Sequence, residues 1–166
     1  FAMANFSYMF FLLKAQELFA GKQAIGVPIL LYAFFNLFYA ILSVPFGKLS
    51  DKVGRKKVIA LGYFLFSLTS LGFIFANSIS LLALLFAMYG ITNAITDGNQ
   101  RAFISDLAPP SLKATALGAF HTLLGFVGLL ANLIAGFLWS FSPAIALGFS
   151  CSVSFASACM LVFSLR

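Results

Sequence analysis

An all-α membrane protein, with six transmembrane helices in a single domain spanning residues 1–166, is the fold class this sequence predicts. Three observations predict it. Hydrophobic residues make up 62% of the chain and charged ones only 8%, whereas soluble domains carry about 25% charged and at most about 50% apolar residues. Apolar runs about as long as a bilayer is thick recur along the chain, and they are apolar on both parities, unlike the alternating strands of a membrane barrel. The links between the runs are short and hold most of the basic residues. With a mean hydropathy of +1.05, the chain has too few polar groups to cover a water-facing surface, so its outside faces lipid. The bilayer is thus the first partner. The net charge of +6 follows from topology and indicates no nucleic acid.

The first helix is expected over 1–15. It starts at Phe1, inside an apolar stretch with no initiator Met or charged leader, and is too short to cross a bilayer unless residues precede it. On that ground the chain reads as a fragment whose upstream part is missing. The second helix is expected over 28–47, with Pro28 as its first residue. The third covers 57–76, and Asn77 and Ser78 form the briefest of turns before the fourth, 79–106. Pro109 and Pro110 end that helix, and Ser111 begins the fifth, 111–140. Ser142 caps the sixth, 143–165, with Pro143 at its first position. Links this short make consecutive helices antiparallel neighbours.

Basic residues orient the bundle, because cytoplasmic links are enriched in Lys and Arg. One side holds Lys48, Lys52, Arg55, Lys56, Lys57, Arg101, Lys113 and Arg166; the other holds only Lys14 and Lys22. That asymmetry places the protein in the plasma membrane with both ends of the segment in the cytoplasm.

The central basic link reads Gly47-Lys48-Leu49-Ser50-Asp51-Lys52-Val53-Gly54-Arg55-Lys56-Lys57. Its glycines allow a tight reversal, and Asp51 can accept hydrogen bonds from Arg55 or from a helix N-terminus. Seven positions fit the pattern G-x-L-[SA]-D-x-x-G-R-[KR], and here the chain resembles the major facilitator superfamily of secondary transporters. A second stretch, from Tyr89-Gly90 through Asp97-Gly98-Asn99-Gln100-Arg101 to Asp106-Leu107-Ala108-Pro109, is similar to the fourth-to-fifth-helix junction of the second half in a prokaryotic group. Gly118, Gly125, Gly128 and Gly136 resemble that group's fifth helix. The resemblance covers the whole chain as one six-helix half, built of two inverted three-helix repeats, with the N-terminal six-helix half absent.

Polar residues inside spans usually face inward. Tyr32, Asn36, Tyr39 and Ser43 stack on one face of the second helix, as cavity wall or as interhelical glue. The fourth carries Tyr89, Asn93, Thr96, Asp97, Gln100 and Arg101. The fifth carries a strip of Gly118, Thr122, Gly125, Asn132 and Gly136, read as a packing seam or a binding surface, with His121 at its edge as a packing or proton-coupling residue. Candidate cavity-lining residues are therefore Tyr32, Asn36, Tyr39, Tyr89, Asn93, His121 and Asn132. Asp97 precedes Arg101 by four residues, the favourable order for an ion pair, and the two are a candidate gate or coupling pair or else a solvated helix end. Asp106 and Lys113 read as surface charges. Ser150, Ser152, Ser154 and Ser157 are expected to bond back to their own helix.

Cys151 and Cys159, the only cysteines, have no ligand-like spacing, so neither a metal nor a cofactor is implied. No nucleophile has a base nearby in sequence, and no enzymatic chemistry is expected. The resemblance implies a transporter moving a small-molecule solute by alternating access, ion- or proton-coupled. Gly47, Asp51, Gly54 and Arg55 would be its conformational latch, and the third and sixth helices would face lipid. The alternatives are a membrane receptor on the same scaffold and a half-size transporter acting as a dimer.

Overall fold

The structure, a computed structural model, describes residues 1–21 and 23–164. Lys22 and Arg166, both counted in the charge asymmetry, and residue 165 of the last expected helix lie outside these. The chain forms α1 (Met9–Gln16), α2 (Gln23–Val53), α3 (Arg55–Ile74), α4 (Ile79–Leu107), α5 (Lys113–Phe141) and α6 (Pro143–Phe163), with a 3₁₀ turn at Pro110–Leu112. Among the described residues there is no strand. Five helices, α2 to α6, are long and apolar enough to cross a membrane.

Three boundaries depart from expectation. The first helix does not run over 1–15: a turn closes Ala4 and Asn5 onto the Phe1 carbonyl, and only Met9–Gln16 is helical. Non-helical backbone at membrane depth persists only where protein satisfies it. Here Asn132 Oδ1 accepts from the Ser7 N–H at 2.8 Å, and Ser150 Oγ donates to the Ala4 carbonyl at 2.8 Å. Pro28 is not the start of α2, which opens at Gln23 and contains both Pro28 and Pro45; neighbouring helices make such prolines tolerable in a membrane. The basic link is not a loop either. α2 runs through Gly47 to Val53, and Gly54 alone breaks the helix, at φ 104°. A side chain there would be strained, so the reversal expected of both glycines falls to Gly54.

The other termini follow local chemistry. Ser78 caps α4 by accepting from the Leu81 N–H at 3.3 Å, and Ser142 caps α6 by accepting from the Ala144 N–H at 3.2 Å. Each hydroxyl satisfies a donor that the first turn leaves open.

Packing centres on α3 and α4. α3 lies against α6 and α4, and α4 also lies against α2. An aromatic core joins them to α1: Phe11, Phe66, Phe73 and Phe86 are each at most 1% exposed, and Phe11 sits 4.5 Å from Phe73 and 4.9 Å from Tyr89 by ring centroids. Along α3 and α6 the contact is polar as well. Ser70 and Ser150 hydroxyls lie 3.2 Å apart, Ser67 Oγ donates to the Cys151 carbonyl at 3.0 Å, and Ser154 Oγ donates to the Tyr63 carbonyl at 2.7 Å. Only Ser152 and Ser157 bond back to their own helix, at Gly148 and Val153. The serines of α6 therefore divide by face, because period 3.6 puts Ser150 and Ser154 on the side against α3.

α5 is the exception to this packing. Its buried residues are Ala131 and Ala135, and no atom lies within 4 Å of a Cβ placed at Gly118, Gly125, Gly128 or Gly136. Within this chain these glycines are not a packing seam: Gly118, Gly125 and Gly136 face outward, and Gly128 borders a cavity.

At Gly90 the backbones of α4 and α2 approach closely. A Cβ on Gly90 would stand 2.5 Å from the Phe35 carbonyl oxygen and 3.2 Å from the Tyr39 nitrogen, atoms that cannot move without their helix. Gly90→Ala is expected to cost about 1–3 kcal/mol through overpacking and to lower the thermal unfolding midpoint in detergent. Gly148→Ala, with nothing within 4 Å of the new methyl, should leave the midpoint unchanged or slightly higher.

Candidate functional site

Two clusters of polar side chains gather at the basic end of the bundle, where α2 ends, α3 begins and α4 reaches its C-terminal turns. The first is built on Arg55. Following the break at Gly54, it is the first residue of α3, so its guanidinium reaches both flanking helices. Nη2 lies 3.0 Å from Asp51 Oδ1 at the end of α2, and Nε bonds Asp106 Oδ2 on α4. Asp106 is therefore not the plain surface charge its sequence context suggests. Arginine suits the role because its planar fork can hold two carboxylates at once. The three side chains are partly exposed, 24% for Arg55, 60% for Asp51 and 55% for Asp106. Such pairs contribute about 0–1 kcal/mol to stability. Holding three helix ends in one register is the larger consequence.

Beneath this clamp a buried bond ties α2 to α4. Ser50 Oγ donates to Asn99 Oδ1 at 2.6 Å, and Asn99 Nδ2 donates to the Ile95 carbonyl at 2.7 Å. Ser50 is 0% and Asn99 2% exposed. Asn99 and Asp106 are seven residues apart, two turns along one face of α4, so a single stripe meets the α2–α3 junction twice. Sequence reading placed Ser50 in the basic motif and left Asn99 and Asp106 without partners. Their i, i+7 spacing is the signal that links them.

The second cluster is built on Asp97. Its Oδ2 accepts from Tyr39 OH at 2.6 Å, across from α2, and from Arg101 Nη2 at 2.7 Å on its own helix. One carboxylate oxygen thus joins the polar stripes of two helices. A cavity of about 260 Å³ separates the two clusters, and Tyr39, Gly47, Asp51, Arg55 and Arg101 line it. On the other side of α4, a cavity of about 500 Å³ is lined by Tyr63, Asn93, Asp97, Gln100 and Phe120 among others. Gln100 donates to Tyr63 OH at 3.1 Å across its wall. Asp97 therefore borders the larger space, and its partners Tyr39 and Arg101 border the smaller.

The remaining expected residues are divided. Tyr89, expected as a cavity-lining residue, lies in the aromatic core. It is 4% exposed, enclosed by Phe11, Phe35 and Phe66, because the bare Gly90 beside it draws α2 close. Tyr32 stacks on Tyr8 at 4.8 Å and on Phe35 at 5.6 Å. Asn36 and Asn93 donate back to the carbonyls of Tyr32 and Tyr89, so neither bonds a neighbouring helix through that amide nitrogen. Asn132 also donates back, to Gly128, while its oxygen holds Ser7. His121 is exposed on α5, its ring 5.6 Å from that of Phe120, and does not pack inside this chain. Among the described residues no three His, Cys, Asp or Glu side chains converge as metal ligands would.

Against known proteins, the chain matches the family described as Major Facilitator Superfamily over residues 1–166. It is 47% identical over 166 residues to an uncharacterized MFS-type transporter of Methanocaldococcus jannaschii, a match covering 98% of this chain and 42% of that relative. It is 33% identical over 89 residues to the uncharacterized MFS-type transporter YhjO of Bacillus subtilis, covering 54% of this chain and 21% of YhjO. It is 30% identical over 109 residues to the quinolone resistance protein NorA of Staphylococcus aureus, covering 66% of this chain and 28% of NorA. The chain thus spans less than half the length of these curated relatives.

The buried bond between α2 and α4 generates a direct test. Side-chain hydrogen bonds between membrane helices average about 0.6 kcal/mol and reach about 1.7 kcal/mol. Ser50→Ala leaves Asn99 Oδ1 short of a donor in a dry site, so the upper part of that range is expected in an unfolding titration. Ser43→Ala, whose hydroxyl bonds only the Tyr39 carbonyl of its own helix, should cost less than about 0.5 kcal/mol.

Proposed function

The chain belongs to the major facilitator superfamily, and from that premise we propose that it forms one half of a secondary active transporter that moves a small solute by alternating access. The observation that carries the reading is the pair of polar clusters at the basic end, where ion pairs and one buried hydrogen bond join helices that must separate if that end is to open. Six membrane elements arranged as two inverted three-helix repeats would make the half, with the broken α1 segment as the first. The second half would lie against the faces this chain leaves uncovered. The outward-facing glycines and polar residues of α5 support that, as does a length 42% of the first relative's. The basic end is assigned to the cytoplasm of a plasma membrane on the lysine and arginine asymmetry.

In this reading Asp51, Arg55 and Asp106, turning on Gly54, hold the cytoplasmic gate. An exposed ion pair is weak enough to break within a transport cycle. Asp97 is the coupling carboxylate: it borders the larger cavity and accepts from a phenol and a guanidinium through one oxygen, so a proton taken up by the carboxylate would weaken the bond to Tyr39. Loss of that bond would loosen α2 from α4, which connects ion binding to gate opening. Asn93 lies four residues before Asp97 on the wall of the same cavity and would contact solute.

Counterflow in proteoliposomes tests the class of function, with a fluorescent quinolone as the first solute because the NorA relative is named for quinolone resistance. Exchange of preloaded for external solute is expected from a transporter. Saturable binding without exchange across a solute panel would instead identify a receptor. Asp97→Asn should retain exchange while gradient-driven uptake falls about 100-fold or more, the lower end of what a positioned proton-transfer group contributes. For the gate, Asp51→Ala should raise the reactivity of cytoplasmic-side cysteine probes. Equal labelling in variant and parent would remove the latch assignment.

A further inference from the structure

We propose that the groove between α3 and α6 at the basic end is a binding site for one anionic phospholipid, with an acyl chain in the groove and the headgroup phosphate at Lys57. The groove encloses about 490 Å³, a volume in the range of ligand sites. It lies away from both clusters described above. On α3 it is formed by Lys57, Ala60, Leu61 and Phe64, at the i, i+3, i+4, i+7 spacing that puts side chains on one face. On α6, Phe155, Ala158 and Val162 repeat that spacing. Its floor is low because small residues meet there: Ala60 and Ala158 are each 5% exposed. Its walls are tall and greasy, with Leu61 51%, Phe155 49% and Val162 54% exposed.

The length and polarity of the groove favour a lipid over other apolar occupants. From Lys57 to Phe64 the helix rises about 10 Å, and the Phe64 and Phe155 rings, 6.2 Å apart, close the inner end. Lys57 stands at the outer end and is, among the described residues, the only charged one in its lining. Among the described residues Lys57 pairs with no carboxylate. Glu17, Asp51, Asp97 and Asp106 are taken by Lys14, Arg55, Arg101 and Arg55. Lys56, its neighbour, points elsewhere, over the Phe103 ring. An apolar trough closed at depth and open beside one unpaired ammonium is complementary to a molecule with a hydrocarbon tail and a negative head, and basic pockets between helices at this level bind such headgroups. The similar groove between α4 and α5, of about 400 Å³, has no charged residue in its lining.

The inference needs the chain to be embedded in a bilayer and does not depend on transport. Its test is native mass spectrometry of the intact protein released from nanodiscs containing equal amounts of phosphatidylglycerol and phosphatidylcholine. One phosphatidylglycerol should be retained about five-fold over phosphatidylcholine, the preference one lysine near the surface supports. Lys57→Glu should abolish the preference and Lys57→Arg should keep it. Lys113→Glu, at an exposed lysine outside this groove, should leave it unchanged. Cys159→Phe, which fills the trough, should lower retention of both lipids while the unfolding midpoint stays near the parent's. Equal retention of the two lipids, or an equal loss of preference in Lys57→Glu and Lys113→Glu, would overturn the site in favour of diffuse surface charge. Cross-linking of two copies through Cys159 would overturn it in favour of a dimer contact.

Discussion

Close backbone contact along α4 is the constraint on which the arrangement depends. In lipid, apolar side chains gain nothing by leaving one hydrocarbon surroundings for another, so helices associate through contact and hydrogen bonding. Gly90 of α4 lets the Phe35 carbonyl of α2 approach to where a methyl would stand, and Gly62 of α3 leaves room for the side chains of Thr96 and Ile95 of α4. With α2 and α3 both drawn onto α4, the three helices have little freedom to slide. The buried tyrosine at 89 and the ring contacts around it follow from that approach.

Polar bonds then set the register that contact alone would leave loose. They are placed in two layers with different strengths. Inside the bundle, Ser50 with Asn99 and Ser70 with Ser150 are shielded from water, where an unpaired partner is costly. At the basic end, Arg55 with Asp51 and Asp106 is partly open to solvent, where the same chemistry is weak. A bundle that is firm within and lightly held at one end is suited to opening at that end, and this gradient of burial underlies the functional reading more than any one residue does.

The uneven covering of the helices has the same logic. α3 and α4 bury about half of their most apolar stretch, whereas α5 buries 11% and α2 17% of theirs. The exposed surface of α5 mixes glycines, Thr122, His121 and Asn132 with large apolar side chains such as Leu123, Phe126, Leu133 and Phe137, whereas that of α3 and α6 is mainly leucine, valine and phenylalanine.

Composition and spacing by themselves determined that the chain is helical and membrane-embedded, where most spans lie, and that Asp51 precedes Arg55 and Asp97 precedes Arg101 by one turn. These are local properties: span length follows bilayer thickness, and i, i+4 pairs follow helix pitch. The cap at Ser142 belongs to the same class. What crosses between helices was decided only in three dimensions. Asp106 became a partner of Arg55 and Tyr39 of Asp97, Tyr89 moved from cavity wall to core, and Ser150 and Ser154 turned to α3. The first element broke at residues the apolar run had concealed, because Asn132 and Ser150, more than a hundred positions away, satisfy its free backbone groups. Sequence order records neighbours along one helix, whereas a hydrogen bond or a steric contact between helices depends on rotations and crossing points that only the assembled bundle defines.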